Sequence, residues 1–340
     1  MVPCQYRIVG KARGKGTYAI VREAIHITTD ERFTCKIINK KLIQGREYLI
    51  RNEIAALKRI SSHANIVSLR DYFETADSIY LCFDLCTGGE LIDRIFLKGS
   101  YYEFEAAALA RTIFTAINHI HSANIVHRDL KPENLLFRTR ADADIMIADF
   151  GLSHIIEDGK VDELVAICGT SVVYLAPEIL LGRPQGKPVD IWAMGVVTYC
   201  LLAGYTPFDG ETPEAAKLAI INGVYSFTPE EYWANVSETA RDFVRACLSV
   251  DPALRPTAEE ALQHKWLANS VQDSAGSDPA VKKAAVDAKL QCASEFFSSP
   301  SRFLIRAGMS LGLQLPNEKA VAAAESEEYK QESENESGIV

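Results

Sequence analysis

The sequence predicts an α+β protein in two lobes, strands first and helices after, and three observations carry that expectation. Between Tyr6 and Ile38 short apolar runs alternate with turn residues, so that Tyr6–Val9, Ile20–Ala24 and Phe33–Ile38 read as strands. In REYLIRNEIAALKRI the residues Leu49, Ile50, Ile54, Leu57 and Ile60 recur at the spacing of one helix face. Farther on, the apolar run Ile191–Ala203 is too short to cross a bilayer and reads as a buried helix. With 340 residues, 48% of them hydrophobic, the chain is long enough for two packed lobes and a tail.

The first turn is GKGTYA, in which Gly14, Gly16 and Ala19 form a GxGxxA word. A dinucleotide-binding turn would pass at once into a helix, whereas Ile20–Ala24 continues as a strand, so a hairpin is expected. Glycines there let backbone amides approach phosphate closely. A second turn, Thr29–Glu31, precedes the third strand, which carries Lys36; Glu53 follows on the helix. Ile79–Leu85 reads as a buried strand that ends at Thr87, Gly88 and Gly89, a linker between lobes. After Leu267 the run Ala268–Ser277 is polar, and Asp278 with Pro279 makes a helix start that puts Val281, Ala285, Ala288, Cys292 and Phe296 on one face. From Glu318 the chain is acidic and rich in Ala, Ser and Glu, a composition expected to be disordered.

A net charge of -9 excludes a general nucleic-acid footprint and favours basic partners. Eight cysteines are scattered without metal-ligand spacing and read as reduced thiols. No signal peptide is legible and Val2 stands where myristoylation needs glycine, so no membrane association and a cytoplasmic location are expected, with the nucleus also open.

One short stretch concentrates chemistry. In His127–Asn134, HRDLKPEN, Asp129 can accept a proton, Lys131 can neutralise phosphate and Asn134 can hold a metal. Phosphoryl transfer needs these types: a carboxylate to align the attacking hydroxyl, and cations to absorb charge on the phosphate oxygens. HRD alone is equally a solvated turn beside Pro132. The longer word has ordered company, however: the glycine turn, Lys36, Glu53, the DFG of Asp149, Phe150 and Gly151, and the APE of Ala176, Pro177 and Glu178.

In these motifs the chain resembles the protein kinases over residues 6 to 267, which implies a two-lobed kinase fold with residues 6–86 as the small lobe and 87–267 as the large one. Residues 268–317 are then a regulatory segment and 318–340 a tail. The resemblance implies ATP and Mg2+ as cofactors, with Asp129, Lys131 and Asn134 catalytic and Asn134 and Asp149 on the metal. Arg13, Gly14, Lys15, Gly16, Val21, Lys36, Glu53, Phe83, Asp84, Cys86, Glu90 and Leu136 line the ATP site. Phe83 is the gatekeeper, the backbones of Asp84 and Cys86 meet adenine, Leu136 is its floor, and Glu90 lies near ribose or a substrate arginine. Arg255 is implied as the buried partner of Glu178.

Lys131 and Thr170 point to serine/threonine specificity, and GTYAIV, INKKL, GGELIDRI and ALQHKWL are similar to the calcium/calmodulin-dependent group, especially its fungal members. That group implies protein substrates with basic residues before the phosphoacceptor, met by Glu90 and Glu133. Arg302–Arg306 is a candidate calmodulin target, weakened by Gly308 and Gly312 and by the lack of a dense basic cluster, and the helix before it is either an autoinhibitory element or one that merely packs on the lobe. Some positions depart from the pattern: Arg13, Thr34, Ala19, a three-residue Ser171–Val173, and Ala166 where an activating threonine is usual. Either an acid among Glu157, Asp158, Asp162 and Glu163 pairs with Arg128 instead, or these acids stay in solvent. The alternatives to a protein kinase are a catalytically weak pseudokinase scaffold and, more distantly, a small-molecule kinase.

Overall fold

The computed structural model describes residues 5–15, 19–61, 63–141, 144–156, 171–208, 210 and 212–273, with only the backbone described for Arg13, Lys15 and residues 270–273. Strands β1 (Tyr6–Lys15), β2 (Ala19–His26), β3 (Arg32–Asn39), β4 (Leu69–Glu74) and β5 (Ser78–Asp84) form one antiparallel sheet in the order β1-β2-β3-β5-β4. The expected hairpin is present, but β1 runs on to Lys15, past the expected end at Val9. Its register against β2 slips between Val9 and Gly14, and Gly10 takes φ 72° in that irregularity. The polar KARGK carries no alternation, so its strand character comes from pairing with β2 and not from its own pattern.

Helix α1 (Glu47–Ile60) connects β3 to β4, and its buried residues Ile50, Glu53, Ala56, Leu57 and Ile60 follow the expected helical spacing. Glu53 is thereby a carboxylate on the apolar face. The larger, mainly helical part contains α2 (Leu91–Lys98), α3 (Glu103–Ser122), the short strands β6 (Ile125–Val126), β7 (Leu135–Phe137), β8 (Ile145–Ile147) and β9 (His154–Ile155), then α4 (Pro177–Leu180), α5 (Pro188–Ala203), α6 (Pro213–Asn222), α7 (Glu230–Trp233), α8 (Glu238–Cys247), α9 (Ala258–Gln263) and α10 (Lys265–Asp273). Helix α5 is buried at every residue from Val189 to Ala203, as its composition requires. Thr212, Ser237 and Thr257 cap α6, α8 and α9 by accepting backbone N–H groups at the third helical position, and Gly204 ends α5 in the left-handed conformation. Phe114 of α3 meets Phe243 of α8 edge-on at 5.5 Å; burying an aromatic of this size contributes about 1.5–3 kcal/mol.

Glu178 and Arg255 form a bidentate pair at 2.6 and 2.8 Å, with side chains 5% and 0% exposed. The stretch before Tyr174, one residue longer than the resemblance implies, folds as a 3-10 turn over Val172–Tyr174. The linker after β5 lies along β7: Gly88 N donates to Phe137 O and Phe137 N to Gly89 O, both at 2.9 Å. A Cβ on Gly88 would run into Thr139 O and come within 2.5 Å of Phe137 Cβ, so the linker has to lift if Gly88 is replaced. Gly88→Ala is expected to cost about 1–3 kcal/mol of unfolding free energy by overpacking; an unchanged denaturation midpoint would show that the linker moves freely.

Among the described residues no helix is long and apolar enough to cross a membrane, and no three metal-ligating side chains of the His, Cys, Asp or Glu types converge. Gly16, Thr170, Ala166, the four acids weighed against Arg128, the helix from Asp278, Arg302–Arg306 and the acidic tail lie outside the described residues.

Candidate active site

The stretch His127–Asn134 links β6 to β7 and is clamped from beneath. Asp190, in the first turn of α5, accepts His127 N and Arg128 N at 2.8 Å each and meets His121 Nε2 of α3 at 2.9 Å. Burial alone would raise the Asp190 pKa, but the His121 hydrogen bond and the charges and amide around it outweigh that and hold it low. With those amides taken, Arg128 adopts φ 66°, and Asp129, next along the loop, is buried with only 6% exposure. Lys131 Nζ donates to both Asp129 oxygens at 3.1 Å. Asn134 Nδ2 donates to Asp129 O at 2.7 Å and to Asp129 Oδ2 at 2.9 Å, which uses both amide hydrogens and leaves Asn134 Oδ1 to accept.

The hairpin β7–β8 pairs Leu135 with Ile147, and Ala148 N donates to Asn134 O at 2.9 Å. Asn134 and Asp149 therefore emerge at the same end of one hairpin. His127 ties the two segments further: its Nδ1 accepts Asp129 N at 3.2 Å, its Nε2 donates to Ala148 O at 3.0 Å, and its ring meets Phe150 edge-on at 4.7 Å. Asp149 takes φ 58°, with Oδ1 accepting Gly151 N at 3.2 Å.

Lys36 Nζ lies 2.8 Å from Glu53 Oε1 and 2.9 Å from Asp149 Oδ1, bringing β3, α1 and the segment after β8 to one point. Burial would lower the Lys36 pKa; Asp149 and then Glu53 more than offset it, so the ammonium stays charged. Lys36 in turn holds the Asp149 carboxyl down at about 2. Burial, with Asp149 adding to it, raises Glu53 against the opposing pull of Lys36. Asn134 Oδ1 and the half-exposed Asp149 carboxylate are hard oxygen donors, a set suited to a magnesium-type ion that keeps water and phosphate in its remaining positions.

Above this point, register carries the other predicted residues. Gly14 pairs with Val21, Val21 with Lys36, and Phe83 with Thr34. Phe83 is 9% exposed at the end of β5, and Asp84 turns its carboxylate to Ser68 N and Arg70 instead of the cleft. Burial pushes the Cys86 thiol up to about 11, which keeps it protonated at neutral pH. Glu90 bridges to Leu136, which is partly exposed between buried Leu135 and Phe137. Burial, with Asp93 and Glu133 adding to it, lifts Glu90 to about 6, and burial also raises Glu133.

Asp190 and His121 were not legible as site residues. The available signal was a lone acid opening an otherwise apolar helix, since an acid buried there has to be satisfied by something specific.

A family model described as the protein kinase domain matches residues 8–267. The chain is 54% identical over 267 residues to a calcium/calmodulin-dependent protein kinase, cmkB, of Emericella nidulans, covering 78% of this chain and 66% of that one. It is 50% identical over 269 residues to a calcium/calmodulin-dependent protein kinase type I of Schizosaccharomyces pombe, covering 78% and 79%. To the type 1B kinase of Rattus norvegicus it is 45% identical over 255 residues, covering 75% and 73%. The chain thus spans about two thirds to four fifths of these relatives.

Proposed function

The chain belongs to the protein kinase family, in its serine/threonine branch, and from that premise we propose that it transfers the γ-phosphoryl group of ATP to Ser and Thr hydroxyls of protein substrates in the manner of the calcium/calmodulin-dependent group. The observation that carries the reading is the meeting of Lys36, Glu53 and Asp149 within 2.9 Å beside the Asp129–Lys131–Asn134 cluster.

Asp129 accepts a hydrogen bond from the substrate hydroxyl, orients it and takes its proton. Lys131 and Lys36 absorb charge on phosphate oxygens, and Glu53 keeps Lys36 extended toward them. Asn134 Oδ1 and Asp149 hold Mg2+, which supplies charge neutralisation for the phosphates. The β1–β2 hairpin, with Gly14 and Val21 paired across it, covers the nucleotide, and Phe83, Asp84, Cys86 and Leu136 surround adenine. Residues 6–86 and 87–267 serve as the two lobes. A non-catalytic scaffold is the alternative, and no finding favours it. Cytoplasm, or nucleus, is the proposed location.

The test is transfer from labelled ATP and Mg2+ to a basic serine peptide, with and without calcium and calmodulin. Transfer supports the enzyme, and stimulation by calmodulin supports the regulation named in its relatives. No transfer in any condition, also after deletion from Ser274 onward, favours the scaffold.

Substrates with arginine before the phosphoacceptor follow from Glu90 and Glu133. Since Glu90 titrates at about 6, it is charged at pH 7.5 and loses charge as pH falls through that value. KM for an arginine-bearing peptide is expected to rise several-fold between pH 7.5 and 5.5, about one to two kcal/mol being the worth of such a charged hydrogen bond. Glu90→Gln should show the raised KM at both pH values. A pH-independent KM in the wild type would remove Glu90 from recognition. Because its folded pKa is above the usual carboxylate value, Glu90 costs stability above pH 6, and that cost is relieved as pH falls toward 4.5.

A further inference from the structure

The strand that delivers Asp149 is three residues long, and one of its edges is held by a loop that belongs to another part of the chain. The segment after α1 lies along β8. Ile147 N donates to Asn65 O at 2.8 Å, Val67 N to Ile147 O at 3.0 Å, and Asn65 Nδ2 to Ile145 O at 2.8 Å, while Ile66 and Ile147 form a parallel bridge. Asn65 N in turn donates to His63 Nδ1 at 3.1 Å. We infer that Asn65 and His63 are positioning residues for Asp149, and that a proton on His63 releases the hold.

Asn65 acts on β8 twice, through its main-chain oxygen and through its side-chain amide, so it fixes the strand two residues before Asp149. The same loop begins where α1 ends, and α1 carries Glu53. One loop therefore sets the spacing between the Glu53 and Asp149 carboxylates that flank Lys36. Residues behind the metal ligands commonly decide how tightly the ligands grip.

The proton dependence follows from the ring. His63 Nδ1 can accept Asn65 N only while it carries no hydrogen; the doubly protonated ring would set one N–H against another. The titratable and charged groups set against this joint are His119 from α3 and Arg138 from the segment after β7. The His119 ring lies 5.2 Å from His63, with its Nε2 buried and lacking a hydrogen-bond partner among the described residues, and Arg138 Nη2 donates to Ala64 O at 2.8 Å. Burial first, and His119 second, hold His63 below its usual range, so the ring is neutral at pH 7 and charges on the acid side.

The inference rests on the proposed metal role of Asp149, and the test separates the two. Transfer by the full chain is followed while Mg2+ is titrated at saturating ATP and peptide, at pH 7.5 and 6.0. Asn65→Asp keeps the shape and removes the donor to Ile145 O; its half-saturating Mg2+ is expected to rise about 10-fold. His63→Gln keeps an acceptor that does not titrate. The wild type should need more Mg2+ at pH 6.0 relative to His63→Gln, a comparison that cancels protonation of the nucleotide. The relay is overturned if Asn65→Asp melts like the wild type and has its Mg2+ requirement, or if His63→Gln follows the wild type at both pH values. Should Asn65→Asp fail to fold, the His63→Gln comparison decides alone. Asp149→Asn is run beside them: if it keeps the activity and Mg2+ requirement of the wild type, the site reading falls and the relay with it, whereas if it loses them while the other two variants match the wild type, the relay alone falls.

Discussion

Asp129→Asn will lower the rate of phosphate transfer by about 10²–10⁴-fold, the range associated with loss of a positioned general base, and will leave nucleotide binding and melting temperature nearly as they were. The substitution preserves size and one acceptor oxygen, which can still receive Asn134 Nδ2 now bonded to Oδ2 at 2.9 Å. What it removes is the carboxylate charge that Lys131 now faces at 3.1 Å and that the proposed mechanism assigns to accepting the hydroxyl proton. The loss should fall on kcat measured at saturating ATP and peptide, with nucleotide affinity followed separately by direct titration. A rate within tenfold of the wild type would contradict the assignment, and a large loss of nucleotide affinity would mean that the residue acts on binding.

Arg255→Met will cost about 3–5 kcal/mol of folding stability, the typical penalty for breaking a buried ion pair from one side. Besides Glu178, the guanidinium donates to Ser249 O, Pro188 O and Val250 O, so its removal strands a buried carboxylate and three carbonyl oxygens together. It also lies 5.0 Å from the Trp192 ring. Replacing both partners, Glu178→Met with Arg255→Met, should recover part of the loss because no unpaired charge remains. Urea denaturation of the two single variants and the double variant checks this. A single-variant loss under about 1 kcal/mol, or a double variant at the sum of the singles, would show that the pair is solvated.

How much of this was legible in the sequence depends on which physical signal each part leaves. Helix α1 and the buried α5 were readable because apolar spacing and continuous apolarity are properties of the chain itself. The extension of β1 to Lys15 was not, since it depends on a partner strand. The site shows the same division. Lys36, Glu53, Asp129, Asn134 and Asp149 could be picked out because motifs fix their neighbours, and the fold brings them together across more than a hundred residues. Asp190, Asn65 and His63 work through backbone amides and carbonyls, groups that every residue has, and so leave no word in the sequence; His121 works through the Asp190 carboxylate and is legible no better.

The Asp190 clamp has a mechanical consequence. By fastening two successive amides of the loop to the first turn of a wholly buried helix, it makes the large lobe's interior the frame of reference for Asp129. Lys36 belongs to a different frame, the five-stranded sheet, and reaches the shared site through charged hydrogen bonds of its side chain to Glu53 and Asp149. In the proposed mechanism, hydroxyl alignment and the Lys36 share of the phosphate grip are thus mounted on separate elements, and softening the sheet would shift Lys36 while Asp129 stays anchored to α5.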